Sequence, residues 1–160
     1  MIIDPATQVP IGIGELAVLK EPKVITTVLG SCVSVCLYAP AHRAGGMNHF
    51  AMPKKLNGAQ GHNQYHFGTD AIPALVEKLK QLTGAQATDF VAKIVGGAQG
   101  LSSSSGSVGK ENIALALAML QQYKIKILGT DTGGNLGRKV LFYPESGRLL
   151  VALLDAQAAA

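Results

Sequence analysis

The stretch TTVLGSCVSVCLY, Thr26 to Tyr38, holds both cysteines of the chain, and His49 follows in GGMNHFAMP. Hydrolysis through a thiol needs four things: a nucleophilic sulfur, a base for its proton, a group that orients the base, and N–H donors for the oxyanion. Cys32 comes directly after Gly30-Ser31, where glycine permits a sharp turn and the backbone amides of Gly30 and Ser31 can converge on a substrate carbonyl. His49 lies on the next predicted strand, and antiparallel pairing would bring it within reach of Cys32. Asn48 alternates to the opposite face and is a poor partner for the imidazole. Thr26 or Thr27, on the strand that feeds the turn, could offer it a hydroxyl. A cysteine on an alternating apolar strand is more ordinarily a small core residue, and Cys36, mid-strand with no flanking turn, is read that way.

Other chemistries fare worse. Cys32-x3-Cys36 on a strand and His62-x3-His66 in a loop lack the tight-turn spacing of a metal site, so no metal is expected. The two thiols, about 13 Å apart along a strand, are too far apart to form a disulfide and suit a reducing cytoplasm. Gly106-Ser107-Val108-Gly109-Lys110 resembles a phosphate-binding loop, but Ser104 and Glu111 stand where the motif requires glycine and a hydroxyl residue. Asp131-Thr132-Gly133 resembles half of an aspartic dyad, which one copy cannot complete, and reads as a structural turn.

These residues need elements to position them. Alternation predicts strands over 13–20, 23–29 and 33–38, the last half-buried, with Val33, Val35 and Leu37 on one face. A short strand before Pro53 leads into a long polar loop, KKLNGAQGHNQYHFG. Ile72, Leu75, Val76, Leu79 and Leu82 form the stripe of a helix from about Asp70 to Leu82, with Thr69 or Asp70 as cap and Gly84 as stop. DFVAKIV reads as a strand and GGAQGLSSSSGSVG as a flexible connector. A second helix spans roughly Glu111 to Tyr123, with Ile113, Leu117 and Leu120 inward. KIKILGT is a strand, DTGGNLG a glycine-dense turn, and 138–154 a hairpin about Pro144–Gly147. Without regular βαβ alternation the fold class is α+β: mixed and antiparallel sheets with peripheral helices.

The whole chain sets outer bounds. At 160 residues it suits a single domain over 1–160, with a core of about 11–154 and short flexible tails. Residues are 48% apolar and 15% charged, which excludes a disordered chain. The net charge of +4 is scattered, with no aromatic-studded basic face, so nucleic acid is not an expected partner. No apolar run approaches the ~20 residues of a transmembrane helix, and the N-terminal ten residues do not read as a secretory signal. A cytoplasmic protein is expected.

The segments GIGELAV, TTVLGSCVSVCLY, GGMNHFAMP, KIVGGA and DTGGNLGRKV, taken in order over 11–154, resemble the CheD family of chemoreceptor glutamine deamidases. The resemblance implies hydrolysis of selected receptor glutamines to glutamate, and in some cases of receptor methyl esters. It places the nucleophile on Cys32 and the base on His49, and the threonine six residues before the cysteine falls on Thr26. It implies no cofactor, and a sandwich-like α+β fold with two outer helices, similar to bacterial toxin-type cysteine deamidases. Its partners would be the cytoplasmic helices of chemoreceptors. The competing expectation is a non-catalytic module that binds receptors and a CheC-type phosphatase. Where the family often has Gly-x-Arg-Asn before the second helix, this chain has Gly109-Lys110-Glu111-Asn112.

Overall fold

A computed structural model of the chain describes residues 4–58, 60–61, 63–100 and 106–155. The strands are β1 (Gln8–Pro10), β2 (Leu16–Leu19), β3 (Val24–Leu29), β4 (Val33–Ala39), β5 (Ala44–Asn48), β6 (Val91–Gly96), β7 (Lys126–Thr132), β8 (Arg138–Tyr143) and β9 (Arg148–Leu153). The helices are α1 (Gly68–Thr83) and α2 (Gly106–Gln122). One sheet has the order β1-β3-β8-β9 and the other β2-β5-β4-β6-β7. Both are mixed: β1 runs parallel to β3 and β6 parallel to β7, and the remaining pairs are antiparallel. The α+β expectation holds, with β1 as a strand that the alternation did not reveal.

The layers follow from which face of β4 meets what. Val33, Val35 and Leu37 pack with Ile72, Leu75 and Leu79 of α1 and with Ala116 and Leu120 of α2. The opposite face carries Cys36, packed with Met47, Val95 and, from the other sheet, Ile25, Leu29, Val140 and Phe142. The five-stranded sheet is therefore the middle layer, with helices on one side and the four-stranded sheet on the other. For this reason β4 is buried on both faces rather than half-buried as alternation predicted. Each large apolar side chain enclosed here contributes roughly 1.5–3 kcal/mol.

Both helices start earlier than the periodicity indicates. The first N–H bonds of α1 go from Asp70 and Ala71 to the Phe67 carbonyl, at 3.0 and 2.8 Å. Phe67 is thus the cap position, without a side-chain bond, and Thr69 and Asp70 lie inside the helix. Gly84 ends it as expected, left-handed at φ 74°, with its N–H on the Lys80 carbonyl. In α2 the first turn takes in Gly106 to Lys110, including the last four residues of the supposed connector. Its buried face is Gly109, Asn112, Ala116 and Leu120, and Leu117 points outward instead of inward. The expectations for His62, for the 101–105 part of the connector and for both chain ends at 1–3 and 156–160 lie outside the described residues. No helix among the described residues is long and apolar enough to cross a membrane.

Candidate active site

Strand register brings the thiol and the imidazole together. Val33 and Phe50 exchange N–H···O bonds of 3.0 Å in both directions, and Cys36 stands opposite Met47. Stepping between these pairs puts Ser34 opposite His49, and extending the register one step beyond Val33–Phe50 puts Cys32 opposite Ala51. Cys32 and His49 are therefore diagonal neighbours on one face, with Cα atoms about 7–8 Å apart. That face is the one covered by the four-stranded sheet. Asn48 lies on the other face, where its Oδ1 accepts from the Val35 N–H and its Nδ2 donates to the Ala71 carbonyl of α1. Both thiols are free, Cys32 half-buried and Cys36 buried.

The backbone of His49 is fixed by the GIGE segment. The Glu15 N–H bonds back to the Gly12 carbonyl, closing a turn in which Gly14 has φ 80°. The Gly14 N–H then donates to the His49 carbonyl (2.8 Å), and the His49 N–H donates to the Glu15 carbonyl (3.1 Å). Two residues thus oppose one, a β-bulge whose left-handed first position favours glycine. The predicted strand over 13–20 accordingly begins only at Leu16.

The hydroxyl that meets the ring belongs to Thr27, not Thr26. Thr27 Oγ1 lies 2.7 Å from His49 Nδ1 and 2.8 Å from the Ile11 carbonyl oxygen. Along β3, Thr27 shares its face with Ile25 and Leu29, which point between the sheets, whereas Thr26 alternates to the face of Val28. A carbonyl can only accept, so the single Thr27 proton goes to Ile11, and the oxygen must accept from Nδ1–H. This network assigns the Nδ1–H tautomer. The Nε2 lone pair is left buried and without a partner among the described residues. Burial pulls the His49 pKa down to about 4, against a weaker upward pull from the Glu15 carboxylate, so the ring is neutral at pH 7.

Cys32 sits in a turn held through its carbonyls. The Gly30 carbonyl accepts from Ala98 N–H, that of Cys32 from Gly97 N–H (both 2.9 Å), and that of Ser31 from Asn112 Nδ2 (3.1 Å). Gly96, at φ 110°, has the Cys32 carbonyl where a Cβ would stand, so only glycine fits there. The GGA segment is thus the wall of the cysteine turn. The next turn supports it in its own right: Gly133 N–H reaches the Gly96 carbonyl, and Arg138 spans the Gly96 carbonyl and Asp131 (3.2 Å). Asp131 therefore has the structural part expected of it. Burial raises the Cys32 pKa to about 11, opposed by its own backbone N–H directed at the sulfur. At rest the pair is neutral thiol and neutral imidazole.

Asn112 was missed by reasoning from sequence. The signal was there: a polar residue on the apolar stripe of α2, four residues before Ala116 and eight before Leu120.

A family profile described as CheD chemotactic sensory transduction matches residues 51–153. The chain belongs to the CheD family. Relatives of the family align over most of its length. One from Anaeromyxobacter dehalogenans, named a probable chemoreceptor glutamine deamidase CheD 1, is 43% identical over 149 residues, 92% of this chain and 85% of its own. A Thermotoga maritima protein named chemoreceptor glutamine deamidase CheD is 41% identical over 142 residues, 88% of each chain. A third, from Trichlorobacter lovleyi, is 42% identical over 129 residues, 79% of this chain and 78% of its own. The profile match begins beyond Cys32 and His49, whereas an alignment over 92% of a 160-residue chain necessarily spans both. A solved Neisseria meningitidis protein described as DUF152 superposes with a TM-score of 0.45 at 12% identity, over 86% of this chain and 64% of its own, a likeness too slight to bear on the site.

Proposed function

We propose that this CheD-family protein is a chemoreceptor glutamine deamidase that works through a cysteine nucleophile. The observation that carries the reading is the Thr27–His49 bond: with the Thr27 proton committed to Ile11, Nδ1 keeps its hydrogen and Nε2 is free on the face that carries Cys32. The names of the relatives supply the substrate.

In the first half-reaction Cys32 Sγ attacks the side-chain carbonyl of a receptor glutamine while its proton passes to His49 Nε2. Because the resting pair is neutral, this transfer accompanies C–S bond formation, and the imidazole acts as general base. The oxyanion donors follow from peptide geometry. In a trans peptide the N–H points opposite to the C=O of the same plane. The Gly30 and Ser31 carbonyls are turned toward the β6–α2 junction, so the N–H groups of Ser31 and Cys32 face away from it, toward the sulfur side. Gly30 contributes the turn and its carbonyl rather than a donor. The tetrahedral intermediate collapses as His49 returns the proton to the leaving nitrogen, releasing ammonia and leaving a thioester. His49 then takes a proton from water, and hydroxide addition and collapse release glutamate and restore the thiol. A receptor glutamyl methyl ester follows the same steps and releases methanol. Thr27 holds the ring throughout, and no cofactor enters the scheme.

The test is incubation with a cytoplasmic receptor fragment, following by mass spectrometry the conversion of glutamine amide to acid. Cys32→Ala and His49→Gln should abolish conversion. A wild type that shows no conversion beyond the Cys32→Ala background sinks the proposal and leaves the reading as a module for receptors and a CheC-type phosphatase. Conversion by Cys32→Ala at a real wild-type rate removes the cysteine from the chemistry.

A further inference from the structure

Asn112 is fully buried on α2, and its Nδ2 donates to two carbonyls, Ser31 at 3.1 Å and Ala51 at 3.0 Å. These two groups flank Cys32: Ser31 precedes it in the chain, and Ala51 stands across from it in the β4–β5 register. Both acceptors are carbonyls, so the orientation of the amide is forced, with nitrogen toward them and Oδ1 away. Oδ1 is buried and has no partner among the described residues. A side chain kept only for stability would not ordinarily strand an acceptor, since an unpaired buried carbonyl oxygen costs more than its absence. Close backbone packing fixes the height of α2 against the site: a Cβ on Gly109 would meet the Gly97 and Ala98 carbonyls at 2.5 and 2.6 Å.

We infer that Asn112 is a positioning residue for the nucleophile, which aims the Cys32 N–H by holding the Ser31 carbonyl of the same peptide plane. Rotation of that plane is the one freedom the turn would otherwise keep, because the Gly30 and Cys32 carbonyls are already held by Ala98 and Gly97. With the plane fixed, the Cys32 N–H faces its own sulfur and the position where an oxyanion would form. The second bond, to Ala51, ties this plane to the strand segment that follows His49, so one amide sets the spacing between thiol turn and base. The inference deepens the cysteine reading above and rests on it for the oxyanion, but not for the thiol.

The experiment compares wild type, Asn112→Ala and Cys32→Ala. Alkylation of Cys32 by iodoacetamide across pH, mapped by mass spectrometry, needs no substrate and reads the N–H directed at sulfur. In Asn112→Ala the alkylation profile should move to higher pH, and kcat for receptor deamidation should fall about a hundredfold, the order expected for a lost oxyanion donor, with KM little changed. The melting temperature should fall as well, because the Ser31 and Ala51 carbonyls lose their donor, so the alkylation profile and kcat rather than stability carry the test. An Asn112→Ala protein with lowered melting temperature but unchanged alkylation profile and kcat overturns the inference. If Asn112→Ala does not fold, Asn112→Leu serves instead: it fills much the same space and carries no donor for either carbonyl, so the same shifts are expected, and wild-type values overturn the inference. Activity in Cys32→Ala refutes the cysteine reading, whereas an inactive Cys32→Ala beside a wild-type Asn112→Ala refutes the positioning role alone.

Discussion

Replacing Thr27 by valine removes one hydroxyl and little else, since the two side chains are nearly isosteric. Two groups lose their partner: the Ile11 carbonyl at 2.8 Å and His49 Nδ1 at 2.7 Å. Each stranded buried group costs roughly 1–3 kcal/mol, and the added methyl recovers part of this, so a net loss of about 1–3 kcal/mol of stability is expected. The catalytic effect is separate. The bond to Thr27 is what favours the tautomer with a bare Nε2. Removing a preference of about 1–2 kcal/mol changes the tautomer ratio by about five- to thirtyfold, at about 1.4 kcal/mol per decade. That takes the competent form from about nine-tenths of the population to about half and lowers kcat about twofold through the tautomer alone. Steady-state ammonia release gives kcat, and nitrogen–proton correlation spectra of the imidazole give the tautomer directly. Wild type should show the proton on Nδ1, and Thr27→Val a mixture. Thr26→Val, altered on the opposite face of β3, should keep both kcat and tautomer. An active Thr27→Val beside an inactive Thr26→Val, or an Nε2–H tautomer in wild type, would refute the reasoning.

Other expectations concern pH, packing and the turn. His49 is 4% exposed with a folded pKa near 4 against 6.5 in the unfolded chain. The unfolded state therefore binds the extra proton first, and stability present above pH 6.5 falls as pH drops toward 4, by up to about 3 kcal/mol. Urea titrations across this window should show that slope in wild type and its loss in His49→Gln. For the same reason the acid limb of kcat/KM should lie near pH 4 rather than at an ordinary histidine value, and a limb at 6.5 would contradict a buried neutral base. Cys36→Ala should keep activity while losing about 1–2 kcal/mol of stability by denaturant unfolding, because that thiol only fills the inter-sheet core. Gly96→Ala forces a Cβ onto the Cys32 carbonyl at φ 110° and should cost more than about 3 kcal/mol, with loss of deamidation in whatever folds; a wild-type melting curve would disprove the tight contact.

The facing of Cys32 and His49 was legible in the chain because two strong periodicities agree. Val33, Val35 and Leu37 fix one face of β4, Met47 and His49 follow on an antiparallel neighbour, and a shift by one residue would turn every apolar side chain to the wrong side. The stop of α1 at Gly84 and the hairpin at Pro144–Gly147 were legible for a similarly local reason, since the turn chemistry is written in the residues themselves. The start of α2 was not. Gly106, Ser107 and Gly109 read as connector by propensity, and the helix extends over them because only glycine at 109 lets it approach Gly97.

Alternation and turn residues, which act locally, put a thiol at Cys32 and an imidazole at His49 on neighbouring strands of an α+β fold; the stacking of its two sheets is a property of the tertiary structure. The sequence by itself could not decide between Thr26 and Thr27. In KVITTVL both faces of the strand carry aliphatic residues and one threonine, Val24, Thr26 and Val28 against Ile25, Thr27 and Leu29, so periodicity is balanced. Docking of β3 against β8, with β3 set across from the β4–β5 face, broke that balance and turned Thr27 inward to His49. Asn112, eighty-one residues from Ser31, was beyond reach for the same reason: a contact between distant segments is specified by packing of whole layers, not by spacing along the chain.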